Sequence, residues 1–247
     1  MKPPRRDQLR RRIAQEAARL MYREGVKQYF DAKRIAARRL CGRSGAKRLA
    51  FRPHDLPSNG EIREEVLALA ALAEGASRPL RLFAMRAVAV QVMEALDGFT
   101  PRLIGSVSTG HVRRGSDIDL HVFTDVEDAL TGRLHALSWS YTLDRVAIQR
   151  GGVIREFTHV YLDRGFPVEL SVYPRRDLRF TTRSSTDGKP IVRLSVATLR
   201  DRMASSDPLG YARWVRTDEI PDLDALIASH DAAPPEMYAG LLDDLSE

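Results

Sequence analysis

The chain holds a single cysteine, Cys41, so no internal disulfide can form and a Cys-rich zinc site is excluded. No run of about 18 or more apolar residues occurs, so nothing in the sequence reads as a membrane span. The opening MKPPRRDQLRRR is basic, but no apolar stretch or small-residue cleavage site follows it, and it does not read as a secretory signal. A reduced, cytoplasmic location is the expectation. Internal repeats and low-complexity tracts are also missing. From Asp218 to Glu247 there is no Lys or Arg at all.

What is present describes a chain able to fold. Its 247 residues are 43% hydrophobic, enough for a proper core in one large domain or two small ones. The formal net charge is +6 with a pI near 9.7, and the surplus is concentrated between Lys2 and Arg52. Such asymmetry marks either a nucleic-acid-facing end or a solvated helix surface.

Helical periodicity dominates the first hundred residues. Ile13, Ala17, Leu20 and Met21 form one apolar stripe ending near Gly25. Phe30, Ile35, Ala36 and Leu40 form a second, closed by Gly42. A loop is expected from Arg43 to about Pro57. Ser58-Asn59-Gly60-Glu61 reads as a capping box opening a third helix through Ile62, Val66, Leu69 and Leu72. A fourth starts at Ser77-Arg78-Pro79 and is stopped by Gly98. Then the pattern changes to short segments rich in β-branched and aromatic residues: 102–104, 117–123, 153–162 and 167–173. A helix is expected at 126–137 and further ones at 196–203, 223–228 and 235–245. The expected fold is α/β (α+β), a small mixed sheet backed by helices. A basic helical region (1–78) precedes the core (79–205) and a short helical tail (206–247) follows it. One domain with extensions and two domains both fit this layout.

The chemistry-bearing segment is Ile104-Gly105-Ser106, then ten residues, then Asp117-Ile118-Asp119-Leu120. Period-2 alternation turns Ile118, Leu120 and Val122 to one face of a strand, and Asp117, Asp119 and His121 to the other. Paired carboxylates repel, and a divalent cation with a preference for hard oxygen ligands compensates them. In the strand Pro167–Tyr173, Val168, Leu170 and Val172 face a core, while Glu169 faces the opposite way with Ser171 and Tyr173. If the two strands are neighbours, Glu169 joins the aspartates around a metal pair suited to in-line displacement at phosphorus, and is placed to accept the acceptor's proton. The Gly105-Ser106 step lets backbone approach a phosphate. Arg113 and Arg114, in the intervening loop, carry guanidinium groups able to neutralise a triphosphate.

Gly105-Ser106, followed by Ser116-Asp117-Ile118-Asp119-Leu120 and a later hydrophobic-Glu-hydrophobic strand, resembles the DNA polymerase β-like nucleotidyltransferase superfamily. The resemblance implies nucleotide binding at Gly105 and Ser106, with Arg113, Arg114 and Ser116 beside them, and two magnesium ions on Asp117, Asp119 and Glu169. It covers roughly residues 102–173. Flanking stretches (Tyr29–Lys33 with Ala36–Arg38, Leu56–Asn59, Ser184–Pro190) are similar to small bacterial nucleotidyltransferase-domain proteins of unassigned substrate. The implied activity moves a nucleoside monophosphate from an NTP, ATP or another, to an acceptor, with pyrophosphate released. The basic N-terminal region favours an RNA or tRNA end as acceptor. A protein or small-molecule acceptor, a nucleotide-sensing or adaptor module without turnover, and an RNA-binding protein working through its N-terminal helices remain rival readings.

Other residues are weighed against blander roles. Asp163 is a rival third acid but sits in the turn-like Leu162-Asp163-Arg164-Gly165. His121 shares the aspartates' face and reads as a hydrogen-bonded neighbour. His54, His111, His135, His159 and His230 lack metal-ligand spacing. Lys189 after Gly188 reads as turn chemistry, and Cys41 as inert.

Overall fold

A computed structural model of the chain describes residues 5–41, 56–150, 153–181, 183–184 and 188–230. Most of the expected loop at 43–57, the helix expected at 235–245, and Ser185-Thr186-Asp187 lie outside the described residues. These divide into two compact units, one drawn from Met1–Gly75 with Ser184–Lys189 and the other from Ala76–Arg183 with Pro190–Asp231.

The first unit is a three-helix assembly of α1 (Arg5–Arg23), α2 (Tyr29–Cys41) and α3 (Asn59–Glu74). Its core is small-residue-rich: Ile13, Ala17, Ala32, Ala36, Ala37 and Ile62 are fully buried, which lets α1 pack closely against both partners. The capping box expected at Ser58 is present. The Ser58 hydroxyl accepts from the Glu61 N–H, and the Ser58 N–H donates to the Glu61 carboxylate at 2.7 Å. Arg10 grips the same carboxylate bidentately at 2.7 and 2.6 Å, chiefly through which the Glu61 pKa falls to about 2.

The second unit is built on a five-stranded mixed sheet of order β1-β2-β5-β4-β3. The strands are β1 (Arg102–Leu103), β2 (Ile118–Phe123), β3 (Tyr141–Arg150), β4 (Val153–Asp163) and β5 (Pro167–Tyr173). Among the described residues only the β2–β5 pair is parallel. Ile118, Leu120, Val122, Val168 and Leu170 form the apolar face. Against it lies α4 (Ser77–Ala95), buried all round from Ala84 to Val90, as a helix at the centre of a core must be. α5 (Gly105–Thr109), α6 (Glu127–Ala136), α7 (Val196–Ser206), α8 (Pro208–Thr217) and α9 (Leu223–Ala228) complete the unit. Among the described residues no helix is long and apolar enough to cross a membrane.

β3 and α8 are among the elements that escaped the sequence reading. β3 is an edge strand whose described residues from Thr142 to Arg145 are exposed, so it carries no apolar alternation and is held by its ladder to β4. α8 buries one large side chain, Trp214. Its signal was local instead: Asp207 caps the Gly210 N–H at 2.9 Å and Pro208 occupies the first turn.

Candidate active site

β2 and β5 run parallel with Asp119 directly opposite Glu169. Asp117 lies one residue before β2 and is exposed, whereas Asp119 and Glu169 are half-buried. The acids act on one another: burial first, then Glu169, then Asp117, raise the Asp119 pKa to about 7. All three influences push the same way.

Gly105 is fixed against this acid. β1 ends at Leu103, the Ile104 N–H donates to the Asp119 carbonyl at 2.9 Å, and the chain turns into α5 at Gly105 with φ +69°. That is the left-handed region glycine favours, and a Cβ built there would collide with the Asp119 carboxylate. Arginines hold the loop from behind: Arg86 Nε donates to the Val107 carbonyl at 3.2 Å and Arg202 Nη1 to the Ser108 carbonyl at 2.6 Å. Cations at the last carbonyls of a helix suit its negative end. Ser106 follows Gly105 at the head of α5, half-buried.

Two of the remaining nucleotide candidates, Arg113 and Ser116, are committed to the loop itself. The Ser116 hydroxyl accepts from the Arg113 N–H at 3.0 Å and the Ser116 N–H donates to the Arg113 carbonyl at 3.2 Å. The turn is thereby closed, with Ser116 buried beneath it. Arg113 folds onto the Arg114 carbonyl at 2.9 Å, and Arg114 is half-buried.

The acid face changes character along β2. Beyond Asp119, His121 is 3% exposed and Phe123 fully buried, although both share the aspartates' side of the strand. The cover comes from Arg193 and the 3₁₀ turn Arg175–Arg179. Arg193 Nε approaches His121 Nδ1 at 3.1 Å, and its Nη1 donates to the carbonyls of Asp177, Leu178 and Phe180. Its guanidinium lies 5.2 Å from the Phe123 ring centre. Burial, then Arg193 and His159, drive the His121 pKa down to about 4. His121 is thus a neutral wall residue packed on Tyr173, ring centres 4.6 Å apart, in keeping with its reading as a hydrogen-bonded neighbour.

No family model, curated protein or solved structure matches this chain.

Two residues on β4 adjoin the acids without having been singled out by spacing. Tyr161 stands directly opposite Glu169, and its hydroxyl pKa is raised by burial and by Glu169, Asp144 and Asp117. His159, diagonal to Glu169, places Nδ1 2.5 Å from Glu169 Oε1. Only knowledge that β4 pairs with β5 could have found either. Asp163, the rival acid, accepts from the Gly165 N–H at 2.9 Å as a turn residue does. The Ser184 N–H donates to the Lys189 carbonyl at 2.8 Å.

Among the described residues no three His, Cys, Asp or Glu side chains converge into a ready-made metal cage. The donor chemistry nonetheless fits a hard divalent cation. Asp119 and Glu169 are neighbours across a parallel pair, and Asp117 adds its charge to Asp119. Like charges so placed spread apart unless a cation draws them together.

Proposed function

We propose that this chain is a metal-dependent nucleotidyltransferase of the DNA polymerase β-like kind, with Asp117, Asp119 and Glu169 as its acids. The observation that carries this reading is the register of Asp119 against Glu169, with the side-chain-free Gly105 against Asp119. Asp117, Asp119 and Glu169 would hold magnesium, which when bound supplies Lewis-acid stabilisation of charge on the phosphates. The backbone at Gly105, where no Cβ intervenes, admits the triphosphate close to the acids, with Ser106 beside it. Glu169 accepts the proton of the acceptor hydroxyl as its oxygen bonds to the α-phosphorus. The bond from that phosphorus to the bridging oxygen breaks and pyrophosphate leaves. Catalysis is mostly positioning and charge neutralisation.

A nucleic-acid end is the acceptor we favour, RNA or tRNA before others. Support comes from the first unit. Phe30, 69% exposed, is followed at helical spacing by exposed Arg34 and Arg38, with exposed Lys27 just before the helix. Arg34 lies 5.7 Å from the Phe30 ring centre. Its ion pair with Asp31 is exposed and 3.5 Å long, and such pairs hold little energy. A basic stripe with one open aromatic face suits a phosphate backbone and a stacked base. The apolar faces of α1 and α2 are already buried in their own core, which disfavours a lipid surface.

The test is incubation of the purified chain and magnesium with each α-labelled ribonucleoside triphosphate and cellular RNA, protein and metabolite fractions, beside Asp119→Ala. Label transferred by the wild type and lost in the variant supports the enzyme, and the labelled fraction names the acceptor class. Nucleotide bound without transfer to any fraction would favour a sensor or adaptor instead.

A further inference from the structure

Glu169 is asked to serve the cation and the acceptor's proton together, so the direction of its carboxylate matters. A glutamate has three side-chain torsions, and on a half-open sheet face it samples several rotamers at little cost. One neighbour removes that freedom. His159 on β4 is paired by register with Ser171, two residues beyond Glu169, and its imidazole reaches diagonally back to Glu169 Oε1 at 2.5 Å. Such diagonal neighbours on one sheet face lie within reach of long side chains.

A carboxylate that holds a cation can only accept, so with Glu169 in that role the contact takes the tautomer that carries its proton on His159 Nδ1. The ring is itself held: its side chain is 17% exposed, and it lies parallel to Tyr161 within 24° at a centroid separation of 6.4 Å. A donor on one oxygen leaves Oε2 as the oxygen available to the acid cluster. Metal-binding carboxylates depend on such outer partners, and losing one typically costs 10–100-fold in metal affinity or activity.

We propose that His159 is a positioning residue for Glu169: its Nδ1–H fixes Oε1 and presents Oε2 to the cation and the acceptor hydroxyl. This rests on the nucleotidyl-transfer reading of the site, and metal binding tests it separately from turnover. Asn can set an N–H near the place of Nδ1, whereas Leu keeps bulk without a donor.

The experiment measures Mn2+ binding in the presence of nucleotide, kcat and KM for the NTP, and thermal melting, for wild type, His159→Leu and His159→Asn. The expected result for His159→Leu is Mn2+ affinity and kcat lowered by about 10–100-fold, with KM for the NTP and the melting temperature little changed. His159→Asn should recover most of both losses. Leu retaining wild-type Mn2+ affinity, Asn as impaired as Leu, or a loss confined to melting temperature would each overturn the proposal. A wild type that binds Mn2+ yet transfers nothing counts against the transfer reading, and the positioning role is then decided on the metal measurements alone.

Discussion

The α-carbon of Gly105 faces the Asp119 carboxylate with no room for a side chain between them. One residue thus gives the site both an unobstructed backbone and a left-handed turn at φ +69°. Gly105→Ala would face a conformation costing about 1–3 kcal/mol for a non-glycine residue, and the collision with Asp119 adds to it. We expect a lower melting temperature and nucleotide affinity reduced by at least about tenfold, tenfold being about 1.4 kcal/mol. Wild-type affinity in the alanine variant would show that the close approach has no part in binding.

Asp119 makes stability depend on pH in a definite direction. A carboxyl raised from 3.8 to about 7 keeps its proton in the folded chain where the unfolded chain has lost it. Its contribution is therefore greatest below the unfolded value and declines as pH rises towards 7. Without divalent cation, Asp119→Asn should melt above wild type at about pH 8, by a margin on the order of a few kcal/mol, since one pKa unit is worth about 1.4 kcal/mol. The margin should shrink towards about pH 4, and magnesium should narrow it by stabilising only the wild type. Melting curves across pH, with and without magnesium, check this; a margin constant with pH would refute it.

His121 behaves oppositely. Its pKa is depressed to about 4 from 6.5, so the folded chain binds fewer protons than the unfolded one between those values, and stability falls as pH drops through that window. Ring resonances in NMR should show His121 neutral at about pH 5.5. Arg193→Met should raise its pKa by removing a neighbouring charge. It should also cost about 1.5–3 kcal/mol through lost charge-assisted hydrogen bonds. A His121 pKa unchanged in that variant would assign the depression to burial and His159 without Arg193.

The stripe on α2 sets a salt test. Binding of a fluorescent single-stranded RNA should weaken steeply with salt, by about 0.7 in log–log slope for each phosphate contact. Arg34→Glu with Arg38→Glu should lower affinity at least about tenfold and flatten the slope. Phe30→Ala should cost about 1–3 kcal/mol with the slope kept, as a stacking contact does. Affinity unaltered by all three changes would remove α2 from the interface.

Much of this protein is legible in one dimension, where the physical cause is local. Periodicity marked α1 to α4, the Ser58 cap was read from four residues, and alternation sent Asp119 and Glu169 to the face opposite the apolar core. What could not be read was pairing. Exposed Thr142 to Arg145 have no core to impose an alternation, so β3 exists through its ladder to β4.

The same division holds at the site. By itself the sequence determined which residues carry carboxylates and which side of a strand each takes, because side-chain alternation is a property of the backbone. Only the tertiary structure decided that β5 lies parallel beside β2, setting Glu169 opposite Asp119. It also decided that Arg193 closes the His121 end of the face, that Arg113 and Ser116 are bound into their own turn, and that His159 rests against Glu169. Those outcomes depend on strand order and register across dozens of residues, which spacing along a chain does not encode.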